Sequence, residues 1–454
     1  MGFNTKLRAQ DLGSATLSRL DSFLRAADRT DAPGFALGIV HNGVTVYSGA
    51  AGMANLETRT VFRPETVSDI GSVAKQFTCM AVLLLAQQGK LNPDDDIRKY
   101  LEGIPDFGQP ITIRQLMNHT SGLREIYDVL ALKGWQQGDG IRQDDAADLV
   151  SHSLSLNFLP NTQYAYCNTG YMLLGNLVAK VGGKPFETWM RENIFQPLGM
   201  DRTFIMDHQG ELFPDCAESY GRNEGKWIKL YDNSTAYGQG GIYSTIPDML
   251  KWLDNFRTGR VGGSAALERL TQRGILQNGD TLSYALGIEH VTHRGIPMLQ
   301  HTGSSAGYRA VLCYLPASGT GILLKANFAG FDAEAVAGKV LDILFNLPPE
   351  ITVAATPVRE ARPVVQPTSS LSDFAGRYFS PEMEVFYEVY DLNGTLHIRS
   401  RNTPPVEMEA IGPDHFRGKT FLDELVFERD KKLRVVGIRI SAGGAQKIWM
   451  KKNG

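Results

Sequence analysis

The hydrophobic pattern of this chain changes character once, across residues 347–370. Five prolines (Pro348, Pro349, Pro357, Pro363 and Pro367) fall in that stretch, and no helix or strand period runs through it. Proline fixes φ and removes an amide donor, so neither a helix nor an inner strand tolerates such a density of it, and the stretch reads as a linker. Beyond it the period is two. Short alternating runs cover 376–379, 385–390, 395–400, 406–411, 415–419, 424–429, 435–440 and 446–450, with Asn393-Gly394 and Gly443-Gly444 among the turns. So many short, evenly spaced strands predict a small up-and-down barrel, which leaves no free sheet edge. The 454 residues therefore divide into a first domain over 1–346, the linker over 347–370 and a barrel domain over 371–454.

The first domain mixes both periods. Leu17, Leu20, Phe23, Leu24 and Ala27 recur at helical spacing. Residues 35–40 and 44–48 flank His41-Asn42-Gly43, a strong hairpin signal, because Asn and Gly take positive φ at low cost. Strands are expected over 297–301, 309–315 and 321–327, then a helix over 333–345. Two early strands and three late ones fit one antiparallel sheet of five or more strands with helices on both faces, an α/β (α+β) arrangement. The stretch 100–260 is expected to form an all-helical lobe, with the active site between it and the sheet.

Chemistry concentrates in three places. Ser72 and Lys75 form the only Ser-x-x-Lys in the chain, where an apolar helix begins. Residues three apart on a helix share a face, so the amine can reach the hydroxyl, and unpaired amides at the helix start favour negative charge on its oxygen. Tyr166-Cys167-Asn168 lies in a polar turn before another helical run, whereas a second Tyr-x-Asn, Tyr231-Asp232-Asn233, has no helix behind it and is set aside. Tyr166 could serve as a base if an ammonium lowered its pKa, and Asn168 could orient Lys75 and a substrate amide. His301-Thr302-Gly303-Ser304 ends a strand that could lie beside an acyl group, with the Ser304 and Ser72 N–H groups holding an oxyanion.

These motifs, in this order, resemble the serine β-lactamase and penicillin-binding-protein superfamily, class C branch. The runs Ile111 to Leu123 and Gly240 to Met249 support the resemblance, which extends from about residue 14 to 346. Lys75 to Cys79, Ser121 to Arg124, Tyr166-Cys167-Asn168 and His301 resemble its D-aminopeptidase group. The resemblance implies a class C-like fold and an acyl-enzyme serine hydrolase with no cofactor. Ser72 would be the nucleophile, Lys75 and Tyr166 the proton carriers, Asn168 and His301 their neighbours. Thr302, Gly303 and Ser304 would hold substrate. The family usually carries lysine where His301 stands; a neutral imidazole weakens carboxylate recognition and suits amides, esters or free-amine peptides. The reading that follows is a D-stereospecific aminopeptidase or amidase acting on small molecules or short peptides. An esterase or acyltransferase of low stereoselectivity, and a non-hydrolytic recognition protein, are the alternatives. The tail resembles the lipocalin-like barrel of several such hydrolases; D-aminopeptidase carries two barrels, and this chain has room for one.

A formal charge of −3 gives no reason to expect a nucleic-acid partner. No long apolar stretch suits a membrane span, and the start of the chain lacks the apolar core of a leader, which points to a cytoplasmic location. Oligomeric state stays open, a homodimer being one option. Cys79, Cys167, Cys216 and Cys313 are scattered and read as buried free thiols. His290-x-x-His293 has metal-like spacing but no acidic or cysteine partner, so no metal site is assigned. Gly303-Ser304-Ser305-Ala306-Gly307 matches a nucleophile elbow, but a strand is expected after it where an elbow needs a helix. His119 reads as a structural turn residue.

Overall fold

The computed structural model describes residues 13–348, 370–401 and 403–453, apart from 137, 209 and 211. Most of the expected linker lies outside the described residues. A six-stranded antiparallel sheet organises the first part: β1 (Phe35–His41), β2 (Val44–Ala51), β3 (Glu289–His293), β4 (Ile296–Ser305), β5 (Tyr308–Leu315) and β6 (Thr320–Ala326), in the order β3-β4-β5-β6-β1-β2. All five expected strands are present. The sixth, β3, carries His290 and His293 along one edge.

The helices that matter are α1 (Ser14–Ala27), α2 (Lys75–Gln87), α3 (Ile126–Leu132), α4 (Asn168–Gly182), α5 (Ile246–Thr258) and α6 (Ala333–Leu344). Every residue of β1 is buried because both faces of the sheet are covered. Alternate strand residues point to opposite faces. Leu37 and Ile39 thus join a core with Leu20 and Leu24 of α1 and Val340 and Leu341 of α6, while Ala36 and Val40 face the larger core around α2 and α5. α2 is apolar nearly all round because it runs through that core. Its Phe77 stacks on Trp252 of α5 at 4.1 Å, and the Trp252 indole N–H donates to Gln76 at 2.7 Å. Thr245 caps α5 by accepting the Asp248 N–H at 3.3 Å. The Asp248 carboxylate does not return the bond; it accepts from the Arg202 N–H and the Thr203 hydroxyl.

The helical lobe also contains short strands. Ile242–Ser244 pairs with Ser68–Asp69 on one side and Phe204–Ile205 on the other, in a three-stranded sheet that leads the chain into the turn carrying Ser72. The tail is a closed barrel of eight strands, β7 (Gly376–Ser380), β8 (Val385–Leu392), β9 (Thr395–Ser400), β10 (Val406–Gly412), β11 (His415–Gly418), β12 (Glu424–Arg429), β13 (Val435–Ala442) and β14 (Ala445–Asn453). It closes through β7–β14 pairing. Phe374, Tyr378, Phe416, Phe427, Ile438, Ile448 and Met450 fill its interior, and Val129 and Leu132 of α3 belong to the same cluster. The Tyr387 hydroxyl, donating to the Leu132 carbonyl at 2.7 Å, ties the barrel to α3.

Candidate active site

Ser72 sits in a 3-10 turn, Gly71–Ala74, and Lys75 is the first residue of α2. The turn is held by Asp69, whose carboxylate accepts the Gly71 N–H at 2.8 Å. Gly71 has φ +53°, a conformation that favours glycine. A Cβ there would lie 2.4 Å from the Ser304 nitrogen, and one on Gly303 would lie 1.9 Å from the Ile70 carbonyl oxygen. The Ser72 turn and β4 therefore meet backbone to backbone. Gly303→Ala is expected to cost about 3 kcal/mol, the upper end for overpacking, because the atom in the way is backbone and cannot rotate aside. A urea midpoint lowered accordingly, with activity lost as the Ser304 amide is pushed out, checks this.

The Lys75 amine is fully buried and has three partners: Ser72 Oγ at 2.9 Å, Asn168 Oδ1 at 2.7 Å and the Gln239 carbonyl at 2.7 Å. Burial lowers its pKa from 10.5 to about 7, against the opposing pull of Glu125. Asn168 opens α4, and its N-cap neighbour Cys167 makes no side-chain cap. The cap comes instead from Glu125, which accepts both the Asn168 backbone N–H and, at 2.9 Å, its side-chain amide. A carboxylate at a helix N-terminus is favoured by the dipole.

Burial raises the pKa of Tyr166 well above the ordinary tyrosine value, and the nearby Ser72 hydroxyl only partly offsets this. The structure therefore gives no support to a phenolate base; the lowered pKa belongs to Lys75. The ring lies 4.9 Å from the amine and 4.2 Å from the ring of His119. His119 has φ +61°, and its Nδ1 accepts the Cys167 N–H at 2.9 Å. It is a turn residue as expected, but also a platform for Tyr166. His301 does not hydrogen-bond Tyr166. Its Nδ1–H donates to the Thr302 carbonyl at 2.6 Å, leaving Nε2 to accept from the Tyr284 hydroxyl at 2.9 Å. Burial and the nearby Lys75 depress its pKa to about 3, so it stays neutral.

A cleft of about 500 Å³ opens over this cluster, with Ser72, Asn168 and Ser304 on its floor. Tyr127, Trp135, Asp139, Tyr231 and Asp232 form walls. Among the described lining residues, Asp139 and Asp232 carry charge and no lysine or arginine is present. Asp232 accepts the Ser305 hydroxyl, and the buried Asp69 beside it is pushed up in pKa by burial and by that neighbouring carboxylate. Thr302 and Gly303 lie behind the rim, their backbone engaged with His301 and the Ser72 turn. Ser305 is followed by β5, so the elbow geometry is absent there.

Sequence reasoning passed over Glu125, Tyr284 and Gln239, and it set Asp232 aside with its triplet. Glu125 directly follows the Ser121 to Arg124 run, the one signal that could have drawn attention to it. His290 bonds to the Thr271 carbonyl and His293 to Asp342. Among the described residues no group of three His, Cys, Asp or Glu is placed to hold a metal ion. Cys79, Cys167 and Cys313 are buried free thiols, and Cys216 is partly exposed.

A mixed helical lobe and an antiparallel sheet meet at the Ser-x-x-Lys pair, the arrangement of a beta-lactamase-like fold. The chain belongs to the beta-lactamase family, whose model matches residues 20–345. The D-aminopeptidase of Brucella anthropi is 29% identical over 345 residues, covering 75% of this chain and 65% of that protein, so this chain spans under two thirds of that relative. The D-aminopeptidase of Brucella melitensis is 27% identical over 398 residues, covering 87% and 73%. Among solved structures, the octameric penicillin-binding protein homologue of Pyrococcus abyssi superimposes with TM-score 0.65 at 23% identity, over 96% of this chain and 99% of that one. The D-amino acid amidase of Ochrobactrum anthropi, complexed with L-phenylalanine amide, gives 0.60 at 22%, over 74% and 99%. Among the described residues, no helix is long and apolar enough to cross a membrane.

Proposed function

We propose that this protein is a serine hydrolase that forms an acyl-enzyme on Ser72 and acts on D-aminoacyl amides or short peptides with a free amino end. The surroundings of the Lys75 amine carry the reading. Asn168 Oδ1 and the Gln239 carbonyl can only accept, so they take two N–H bonds. In the neutral amine, the lone pair then faces the third partner, the Ser72 hydroxyl. Lys75 removes that proton as Ser72 attacks the carbonyl. The N–H groups of Ser72 and Ser304 hold the oxyanion. Tyr166, which keeps its proton, passes hydrogen to the leaving amine and is resupplied from Lys75. Water then releases the acyl group by the same route.

The acidic wall with its unopposed Asp139 and Asp232 suits a substrate ammonium, and neutral His301 offers no cation to a terminal carboxylate. The D-aminopeptidase and D-amino acid amidase relatives support the choice of D-aminoacyl amides. Ser72→Ala should abolish release of p-nitroaniline from D-alanine p-nitroanilide, while wild type turns it over much faster than the L isomer. Turnover by the mutant equal to wild type would remove the reading. Equal rates on both isomers, with faster turnover of short p-nitrophenyl esters, would favour an esterase instead.

A further inference from the structure

The barrel touches the catalytic cluster through one hairpin. The turn between β13 and β14 is Gly443-Gly444, and it docks on the segment 124–128. The Glu125 N–H donates to the Gly444 carbonyl at 2.9 Å. The same carbonyl accepts from Asn157 at 2.7 Å, and the Gly444 N–H donates to Asp128 at 2.6 Å. A Cβ on Gly444 would lie 2.6 Å from Glu125 Cβ, so only glycine lets the backbone come this close. Behind the turn, buried Arg124 pairs with Glu382 of the barrel and donates to the Gln446 carbonyl. Glu125 in turn holds both amide groups of Asn168, and Asn168 accepts from Lys75 at 2.7 Å. Every partner of the Glu125 carboxylate here is a donor, as an ionised carboxylate requires.

We propose that the barrel is the positioning element of the catalytic lysine, with Gly444 as the positioning residue: the hairpin fixes Glu125, Glu125 fixes Asn168, and Asn168 fixes the Lys75 amine against Ser72. This rests on the reading of Lys75 as the base. The barrel is then part of the catalytic apparatus without entering the cleft. Among the described residues, none from its strands lines the cleft, and its core is filled by its own side chains together with Val129 and Leu132 of α3.

The groups around Lys75 are Glu125, Cys79 and Cys167, the neutral imidazoles of His119 and His301, and the rings of Tyr166 and Tyr171. Of these, Glu125 is the carboxylate; burial raises its pKa, its three N–H partners oppose that, and in its ionised form it favours the ammonium, while Asp128 lies beyond it against the same hairpin. Displacing Glu125 therefore moves the acid limb of the rate profile to lower pH.

The test is Gly444→Ala in the full chain, since Gly444 lacks a left-handed φ and the nearest atom an alanine Cβ meets is Glu125 Cβ at 2.6 Å, with Asp128 Oδ2 next at 3.3 Å. Gly412→Ala, elsewhere in the barrel, is the control. A shift of about 1 Å at the base costs on the order of 10²-fold in kcat. The expected result is that loss with KM little changed, and an acid limb displaced downward, while the control matches wild type. If Gly444→Ala does not fold, Glu382→Gln, which loosens Arg124 from the barrel side, is read in the same way. A folded variant with wild-type kcat and an unmoved acid limb overturns the proposal. Labelling of wild type by a fluorophosphonate, read by intact mass and absent in Ser72→Ala, separates the two ideas. Without labelling, the serine reading fails; with labelling and an unaffected Gly444→Ala, only the barrel's role fails.

Discussion

Lys75→Met is expected to lower kcat/KM for D-alanine p-nitroanilide by about 10⁴-fold, the upper range for loss of a general base. Methionine keeps the unbranched length that fills the channel beside α4, but it supplies no lone pair to Ser72 and no N–H to Asn168 or Gln239. The wild-type pH profile carries the same argument. Burial sets the Lys75 pKa at about 7, so the fraction of neutral amine, and with it kcat/KM, rises as pH increases through that value. Below it the ammonium has no lone pair and activity falls. Above it the rate levels off, because burial keeps Tyr166 protonated beyond the ordinary tyrosine range. A profile measured across neutrality that stays flat on the acid side would exclude Lys75 as the base.

Arg124→Met is expected to destabilise the protein by about 3–5 kcal/mol, the usual consequence of leaving one member of a buried ion pair alone. The Arg124 and Glu382 side chains are only 1% and 5% exposed. Arg124 also serves Asn157, Ser155 and the Gln446 carbonyl, so its loss strands polar groups on both sides of the barrel junction. Removing both charges in Arg124→Met/Glu382→Met should restore much of the loss, because no buried charge then lacks a partner. Urea unfolding of the three proteins checks both statements. The exposed pair Lys419–Glu407 makes the contrast: water screens it, and Lys419→Met should leave the midpoint where it is.

Much of the scaffold was legible because it is local. The Asn-Gly hairpin, the largely apolar β5 and β6 and the short strands of the tail each reveal their period within a few residues. β3 was legible only as a strand and turn around His290 and His293, because Glu-His-Val-Thr-His on a half-exposed edge has no apolar alternation to read. The pairing of Ser72 with Lys75 was visible from spacing, although the serine stands in a 3-10 turn and not in the helix itself. Asn168 accepts from the Lys75 amine and the Tyr166 ring lies 4.9 Å from it, but the protonation of the cluster is not legible from spacing. Which of two neighbouring groups gives up its proton depends on burial and on charges arriving from elsewhere, and neither appears in a motif.

Spacing along the chain determined the architecture and set Ser72 beside Lys75, since periodicity and turn chemistry act between near neighbours. Folding alone decided that burial would lower the Lys75 pKa, that Glu125 would cap α4, that Asp232 would line the cleft and that a barrel turn would dock on Glu125. Those outcomes come from the removal of water and from contacts between residues far apart in the chain, where electrostatic and steric effects follow distance in space and not position in sequence.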